Sequence, residues 1–479
     1  MCSMETLLSQ PHISEPGYPG MPFNEEIFGW IETMWEFGDR DRYGWRMPGT
    51  KSDHQASAFL ERKFREAGLE QVRQEPVSVP VHFPDRWSLA LHASGVNEDI
   101  PCSFIRYAAG TPPEGVSGNL VFVGRGSKEE FQKRAVEVAG NIALVELYSN
   151  GYQINYGSPP LWTYDPKGTF EGDMYSETYP VDNQSAVIEN ARLAGAIGLV
   201  CILTFRSRDA CVQYHGPKND NGVITALTVS PSSGKRIKEL LAAGPARATL
   251  VLTEDPGTPP PGGPTRFGKW GLTHNVYGLL PGTTGEVLVM MSHHDGGAVN
   301  EGSGPAVLIA MANYFARLKE KRRKTLLFFV IGSHFGLRPP LLQQARGLAE
   351  VRDRIACVLN VEMIARQYKL RGGEYVATGL SAPAMWGVRN GNPALVELVR
   401  DAITKHDLDR SYISDRLLGE GATIANEGGI ANVVEYIALN AQQFSLEDRP
   451  EHVNKEALRP TACAFADMIH RLDSEEKGL

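Results

Sequence analysis

The feature that most constrains the fold is an alternation of apolar runs with amphipathic segments in the C-terminal half of the chain. The runs EVLVMMS, TLLFFVIGS and IACVLNVEM are short, continuous and apolar, as expected of strands buried on both faces. The segment PAVLIAMANYFARLKEK lies between the first two and places Val307, Met311, Tyr314, Phe315 and Leu318 on one helical face. This alternation predicts an α/β fold with a mostly parallel, mixed sheet flanked by helices.

The rest of the chain predicts two domains, one of them discontinuous. An N-terminal amphipathic helix, DHQASAFLERKFREAGL, ends at Gly68, a residue suited to the end of a helix. A block of short β-branched runs follows, including GNLVFVGRG and NIALVELY, and the Pro/Gly-dense stretch EDPGTPPPGGPTR closes it. We therefore expect a catalytic domain from residues 1–100 and 266–479, a β-rich insert at 101–255 and a linker at 254–266.

Residues capable of binding a ligand follow the ends of the predicted strands. His293, Asn300, His334 and Glu362 all lie just beyond the carboxyl ends of predicted parallel strands. Open α/β sheets bind their ligands along that edge. The sequence therefore places a candidate site there.

The order of the motifs resembles the di-zinc aminopeptidase family, which also includes glutamate carboxypeptidase, glutaminyl cyclase and the catalytically silent transferrin receptor. The segments LVMMSHHDG, GAVNEGSG, VIGSHFGL, LNVEMIA and QQFSLEDRPEHVN carry the resemblance. It covers nearly the whole chain and implies a zinc-exopeptidase-like domain with a protease-associated insert. It also implies that His293 binds metal and that Asp295 orients it.

This chain departs from the family at the other metal positions. The family's bridging Asp is Asn300 here, and its last ligand His is Phe444. Where the family has a general base followed by a ligand Glu, this chain has Ser333 and His334. A neutral amide binds metal weakly and a Phe ring not at all, and Ser cannot accept a proton from bound water at neutral pH. A di-zinc site is therefore not expected.

One ligand set remains, made of His293, His334 and Glu362. Two imidazoles and a carboxylate could hold one divalent metal ion, with zinc favoured over iron or manganese. The alternative is a packed pocket that binds no metal. We expect Asp295 to support His293, and Glu301 or His294 to transfer protons in place of the missing base.

Further polar residues lie near the same edge. Glu420, in LLGEGATIANEGG, falls where the family closes its substrate pocket, although a solvated loop position is an equal alternative. Glu435 and Tyr436 end the run NVVEY and could be structural or part of the site. Their roles stay open at this level.

Three functions are compatible with these residues. The first is a divergent hydrolase that cleaves an amide or related bond of a small molecule through at most one metal. The second is a metal-free lyase or hydratase that reuses the cleft. The third is a catalytically silent binding protein of the same fold. The first is favoured because titratable groups persist at the sheet edge.

Composition narrows the partners. The net charge of -8 gives no electrostatic reason to expect nucleic acid. No apolar run approaches the ~20 residues of a membrane span, and the N-terminus lacks a secretory pattern. We expect a cytoplasmic protein with a small-molecule substrate, and the sequence leaves its oligomeric state open.

Overall fold

The computed structural model describes most of the 479 residues. The described ranges are 17–38, 45–82, 84–93, 95–154, 158–170, 174–176, 181–213, 224–254, 270–336 and 340–474. The predicted linker therefore lies almost entirely outside the described residues. Within them the predicted mixed α/β fold with helices flanking the sheet is confirmed.

Nine described strands form the larger sheet. In spatial order they are Glu70–Pro80, Trp270–Leu280, Thr325–Ile331, Val287–His293, Ile355–Val361, Val433–Ile437, Ala384–Val388, Ser411–Ser414 and Trp162–Tyr164. The four central strands, from Thr325–Ile331 to Val433–Ile437, run parallel to one another. Their carboxyl ends therefore meet at one edge.

Helices cover both faces of this sheet. On one face, Asn24–Glu36, Lys51–Ala67, Val299–Arg317, Pro393–Lys405 and Lys455–Ser474 share the largest hydrophobic core. On the other face lie Leu341–Gln344, Arg346–Ala349 and Glu420–Gly428. Short 3₁₀ turns are Arg352–Arg354, Arg389–Gly391 and Pro450–His452. Successive strand residues alternate between the two cores, with Leu288 in the first and Val289 in the second, as the pleat requires.

The N-terminal helices form where local sequence signals place them. Thr50 caps Lys51–Ala67 by accepting a hydrogen bond from the Asp53 N–H at 3.2 Å. The helix ends at Gly68, whose φ of 93° lies in the left-handed region. Its buried face, with Phe59, Leu60 and Phe64, packs into the core of the larger sheet. The N-terminal helices thus cover a sheet whose central strands come from the C-terminal half.

The second sheet forms the body of the insert. Its eight described strands, in spatial order, are Val96–Ile100, Pro84–Ala93, Ala246–Glu254, Val116–Phe122, Ile142–Leu147, Gly198–Leu203, Ala226–Val229 and Cys102–Phe104. Helices Lys128–Lys133, Ala135–Val138, Gln184–Leu193 and Pro231–Ala243 accompany it. Two small two-stranded sheets, Arg366–Arg371 with Glu374–Ser381 and Tyr152–Gln153 with Met174–Ser176, complete the described strands.

The structure differs from the predicted division of the chain at two places. Strands Pro84–Ala93 and Val96–Ile100 belong to the insert sheet, although residues 1–100 were assigned to the catalytic domain. Conversely, Trp162–Tyr164 lies within the predicted insert, 101–255, but pairs with Ser411–Ser414 in the larger sheet. The cause is long-range pairing, which residue patterns along one strand do not encode.

No helix in the described part of the chain combines the length and the apolar character that a membrane crossing requires.

Acid should destabilise the fold through His452, which lies in the turn Pro450–His452. Its buried ring accepts a hydrogen bond from the Arg449 N–H at 3.3 Å and packs edge-on against Tyr368 at 4.7 Å. Burial lowers the pKa of His452 to about 4, against ~6.5 in an unfolded chain. The neutral ring's contribution is therefore complete above pH ~6.5 and is lost as the pH falls towards 4, by up to about 3 kcal/mol.

Urea unfolding at pH 7.5 and 4.5 measures this effect. Wild type should lose about 2–3 kcal/mol more of its unfolding free energy on acidification than His452→Gln, whose side chain does not titrate. Equal losses in the two proteins would show that His452 does not titrate between folded and unfolded states.

Candidate active site

The strand ends converge through Asp295. His293 is the last residue of Val287–His293 and is fully buried, and Asp295 follows it in the next turn. The two carboxylate oxygens of Asp295 accept the backbone N–H groups of His334, at 3.1 Å, and Phe335, at 2.7 Å. Its Oδ1 also lies 3.5 Å from His293 Nδ1. Asp295 therefore joins two neighbouring strand ends and orients the first histidine.

His293, His334 and Glu420 form a compact group of possible metal ligands. The two imidazole rings lie 4.4 Å apart between centroids. Glu420 Oε1 is 3.3 Å from His293 Nε2 and 2.6 Å from His334 Nδ1. One ligand atom from each residue lies within 4.8 Å of the others. The structure thus brings the two predicted histidines together, with Glu420 as their carboxylate.

Glu362 occupies a different place from the one predicted. Its Oε1 accepts hydrogen bonds from Asn360 Nδ2 and from the Glu420 N–H, both at 3.0 Å. Asn360 Nδ2 also donates to Glu435 Oε1 at 3.1 Å. Glu362, Glu420 and Glu435 therefore form a buried carboxyl cluster. Glu362 lies on the far side of Glu420 in this chain of contacts and does not share the histidine group.

Backbone amides hold the rest of this cluster. Glu435 accepts N–H groups from Leu418 at 2.6 Å, Gly419 at 3.1 Å and Gly421 at 2.8 Å. These residues flank Glu420, the first residue of Glu420–Gly428. A Cβ on Gly419 would lie 1.5 Å from Glu362 Oε1, so only glycine fits there. Glu435 is therefore the support that fixes the position of Glu420.

The electrostatics favour a cation beside Glu420. Burial alone would raise the pKa of Glu420, but His293 and His334 hold it well below its usual range. Burial would lower the pKa of His293, yet Glu420 and Asp295 raise it to about 9. Burial and the neighbouring Glu420 carboxylate raise the pKa of Glu362 well above normal. Within the carboxyl cluster, negative charge is therefore favoured at Glu420 over Glu362.

The residues present fit a metal ion. Both ring nitrogens of His293 and Oε1 of Glu420 are buried, and their contacts with Asp295, with each other and with His334 lack the alignment of hydrogen bonds. Two tetrahedral ligands at ~2.0–2.2 Å from zinc lie about 3.3–3.5 Å apart, close to the 3.3 Å between His293 and Glu420. Two imidazoles and one carboxylate form a ligand set that leaves one position open.

Glu301 lies close to this group. It is fully buried in the first turn of Val299–Arg317, and its Oε2 accepts the Gly297 N–H. Its Oε1 has no hydrogen-bond partner among the described residues. Burial raises the pKa of Glu301 well above its usual value, while His293 acts in the opposite direction. Glu301 therefore has the environment of a proton-transfer group, and that role stays a prediction.

His294, the other proposed proton carrier, is engaged elsewhere. Its Nε2 lies 2.9 Å from the His274 carbonyl oxygen, and its Nδ1 lies 3.5 Å from Asp53 Oδ1. Burial lowers the pKa of His294 to about 4. Arg46, which the sequence did not single out, donates to the carbonyls of His294 at 2.9 Å and Gly297 at 2.7 Å. His294 and Arg46 thus support the loop after His293.

The positions of the family's second metal hold no strong ligand among the described side chains. Ser333 is buried and donates its hydroxyl to Gln344 Oε1 at 2.7 Å. Phe444 is buried in an aromatic cluster with Trp45, Met47 and Phe335. Asn300 lies in Val299–Arg317, and its side chain is outside the described part of the chain. At the positions of the missing base and the missing last His ligand, Ser333 and Phe444 are thus packed against neighbouring side chains.

Comparison with known proteins supports the resemblance. Residues 275–394 match the sequence profile of Peptidase family M28. Human carboxypeptidase Q is 32% identical over 116 residues, which are 24% of this chain and 23% of that protein. The chain thus matches less than a quarter of the length of this relative.

The solved structures show the same fold over nearly the whole chain. A zinc aminopeptidase from Bacillus subtilis superposes with a TM-score of 0.65 at 17% identity, covering 96% of this chain and 97% of that one. A Peptidase M28 precursor from Shewanella amazonensis gives 0.65 at 16% identity, covering 95% and 97%. The predicted resemblance is confirmed: the fold is that of zinc aminopeptidases, and the segment carrying His293 and His334 matches family M28.

Proposed function

We propose that this chain is a hydrolase that cleaves an amide or related bond of a small molecule with the help of one divalent metal ion, zinc foremost. His293, His334 and Glu420 would hold the ion. The observation that carries the proposal is the convergence of one ligand atom from each of these residues within 4.8 Å, with His293 and Glu420 buried. A zinc ion at such a site lowers the pKa of water to about 7 and polarises a carbonyl group.

The remaining residues have separate tasks in this proposal. Asp295 holds His293 in orientation and ties it to the His334 strand end. Glu301, with its raised pKa and its partnerless Oε1, takes up and returns the proton of the reaction. Glu362, whose pKa is raised by burial and by Glu420, would limit the negative charge beside the single cation.

The limited access to the site supports a small substrate. His293, Asp295, Glu362 and Glu420 are all buried, whereas the His334 side chain is 13% exposed. Solvent therefore reaches the ligand group on the His334 side. A long polypeptide would need a broader opening than this, whereas a metabolite or a dipeptide would not.

Ordinary aminopeptidase activity should be at least ~100-fold lower than that of a di-zinc relative, because Ser333 cannot act as a base and Phe444 cannot bind metal. Purified protein should be tested on leucine and arginine p-nitroanilides beside a panel of dipeptides, N-acyl amino acids and lactams, with and without a chelator. We expect chelator-sensitive turnover within the panel and little on the anilides.

A silent binding protein of the same fold would give a different result. Protein that contains less than about 0.1 zinc, iron or manganese per chain after purification and reconstitution would contradict the proposal. Fast, chelator-sensitive turnover of the anilides would contradict the small-molecule assignment.

A further inference from the structure

A segment of the insert reaches across to the catalytic half next to the site. Residues 206–208 lie two residues beyond the end of the insert strand Gly198–Leu203. Ser207 donates its hydroxyl to the Glu447 carboxylate at 2.6 Å, and the Arg208 N–H donates to the Gly373 carbonyl at 2.7 Å. Arg206, between strand and Ser207, points into the interface and is only 1% exposed.

The Arg206 guanidinium donates hydrogen bonds to one short turn outside the insert, residues 441–443. Nη1 donates to the Ala441 carbonyl at 3.2 Å, and Nη2 donates to the Gln443 carbonyl at 2.6 Å. Gln213, also in the insert, accepts from Nε at 3.1 Å and from Nη2 at 2.6 Å. A buried cation is costly unless its donors are satisfied, and these acceptors satisfy it from both domains.

The turn that Arg206 holds is strained. Phe444 follows Gln443 directly and has a φ of 64°, a left-handed conformation that is unfavourable for a bulky side chain. Such conformations persist only where neighbouring contacts fix them. The guanidinium on the preceding carbonyl is such a contact. The Phe444 ring itself is buried against Trp45, Met47 and Phe335.

A series of edge-on aromatic contacts, called the stack below, connects Phe444 through Phe335 to the two histidines. The Phe444 ring lies 5.4 Å from the Phe335 ring, at 81°. Phe335 lies 4.5 Å from the His334 ring and 5.4 Å from the His293 ring, edge-on in both cases. A second insert arginine, Arg106, donates to the Phe335 carbonyl at 2.6 Å. Two insert arginines therefore bind backbone carbonyls at or next to the two phenylalanines: Arg106 at Phe335, and Arg206 at Gln443, which precedes Phe444.

We propose that the insert is part of the catalytic site, and that Arg206 is a positioning residue that holds Phe444 and Phe335 against His293 and His334. Arg106 fixes the other end of the same stack. The packing role stands on the contacts alone, and only the effect on metal binding rests on the proposed function.

Two measurements on the full chain test the role of Arg206. Arg206→Met removes the forked donor at similar length, and Arg208→Met is the control because Arg208 is exposed in the same segment. Hydrogen exchange followed by mass spectrometry should show residues 333–336 and 441–445 exchanging at least ~10-fold faster in Arg206→Met alone. The zinc dissociation constant should rise about 10–100-fold, as for other residues that support metal ligands.

The outcomes separate the two proposals. Faster exchange confined to 441–445, with 333–336 and zinc affinity unchanged, would reduce Arg206 to local packing and overturn the inference. If wild type binds no zinc, the proposed function fails, while exchange at 333–336 still decides whether Arg206 positions the stack. If Arg206→Met does not fold, Arg206→Lys replaces it, and wild-type exchange in both segments of that variant would overturn the inference.

Discussion

His293→Ala should lower bound zinc from about one ion per chain to less than about 0.1 while the chain stays folded. His293 is fully buried, and its two ring nitrogens lie 3.5 Å from Asp295 Oδ1 and 3.3 Å from Glu420 Oε1. Without its imidazole, one nitrogen and one carboxylate remain, too few to hold zinc against dialysis. Metal content after dialysis into metal-free buffer measures the effect, with circular dichroism to confirm folding.

The adjacent histidine provides a matched control. His294 is equally buried, but its ring contacts the His274 carbonyl and Asp53. His294→Gln should therefore keep at least about 0.8 zinc per chain even if it costs 1–3 kcal/mol of stability, roughly the penalty for disturbing a buried hydrogen bond. Equal zinc loss in both variants would mean that folding, and not ligation, explains the first result.

Glu420→Gln should lose most of its zinc, whereas Glu362→Gln should retain it. Glu420 Oε1 lies within 3.3 Å of a nitrogen of each histidine, and the two histidines hold the pKa of Glu420 well below its usual range. Burial and the neighbouring Glu420 raise the pKa of Glu362 well above its usual value, and a neutral amide imitates the uncharged form that this shift favours. We expect zinc affinity to fall at least ~100-fold in Glu420→Gln and less than ~10-fold in Glu362→Gln. Titration with a competing chelator gives both constants.

This pair of variants also decides between the sequence-based ligand set and the structural one. Zinc loss in Glu362→Gln with retention in Glu420→Gln would restore Glu362 as the third ligand. The carboxyl cluster would then need to rearrange when the ion binds.

The sequence predicted the fold because its strongest signal is local. Continuous apolar runs and one-sided helices, such as Val299–Arg317 between two strands, are properties of neighbouring residues. The division into domains was harder to predict from the sequence. Only three residues separate Glu70–Pro80 from Pro84–Ala93, yet the two strands enter different sheets. The first pairs with Trp270–Leu280 and the second, besides its neighbour Val96–Ile100, with Ala246–Glu254. These distant partners are beyond the reach of any local pattern.

The site was predictable in part for the same reason. His293 and His334 end neighbouring parallel strands, so strand prediction alone brings them to one edge. Glu420 begins a helix, and only Gly419 and Gly421 on either side mark it as a position of close packing. Its approach to the histidines depends on Glu435 and Asn360, which are distant in the chain. Arg46 and Arg206 bind backbone carbonyl groups. Every residue type has such a group, so no sequence pattern predicts these contacts.

The strand Trp162–Tyr164 gives the insert a protective role at the sheet margin. Without it, Ser411–Ser414 would be the last strand of the larger sheet and would present unpaired backbone groups to solvent. Such margins invite pairing with a second chain and hence aggregation. Side chains reinforce the cover: Tyr164 donates to Asp407 at 2.9 Å, and Lys167 pairs with Asp409 at 2.9 Å. Removing the insert would therefore expose Ser411–Ser414 as an unpaired edge strand of the larger sheet, prone to aggregation.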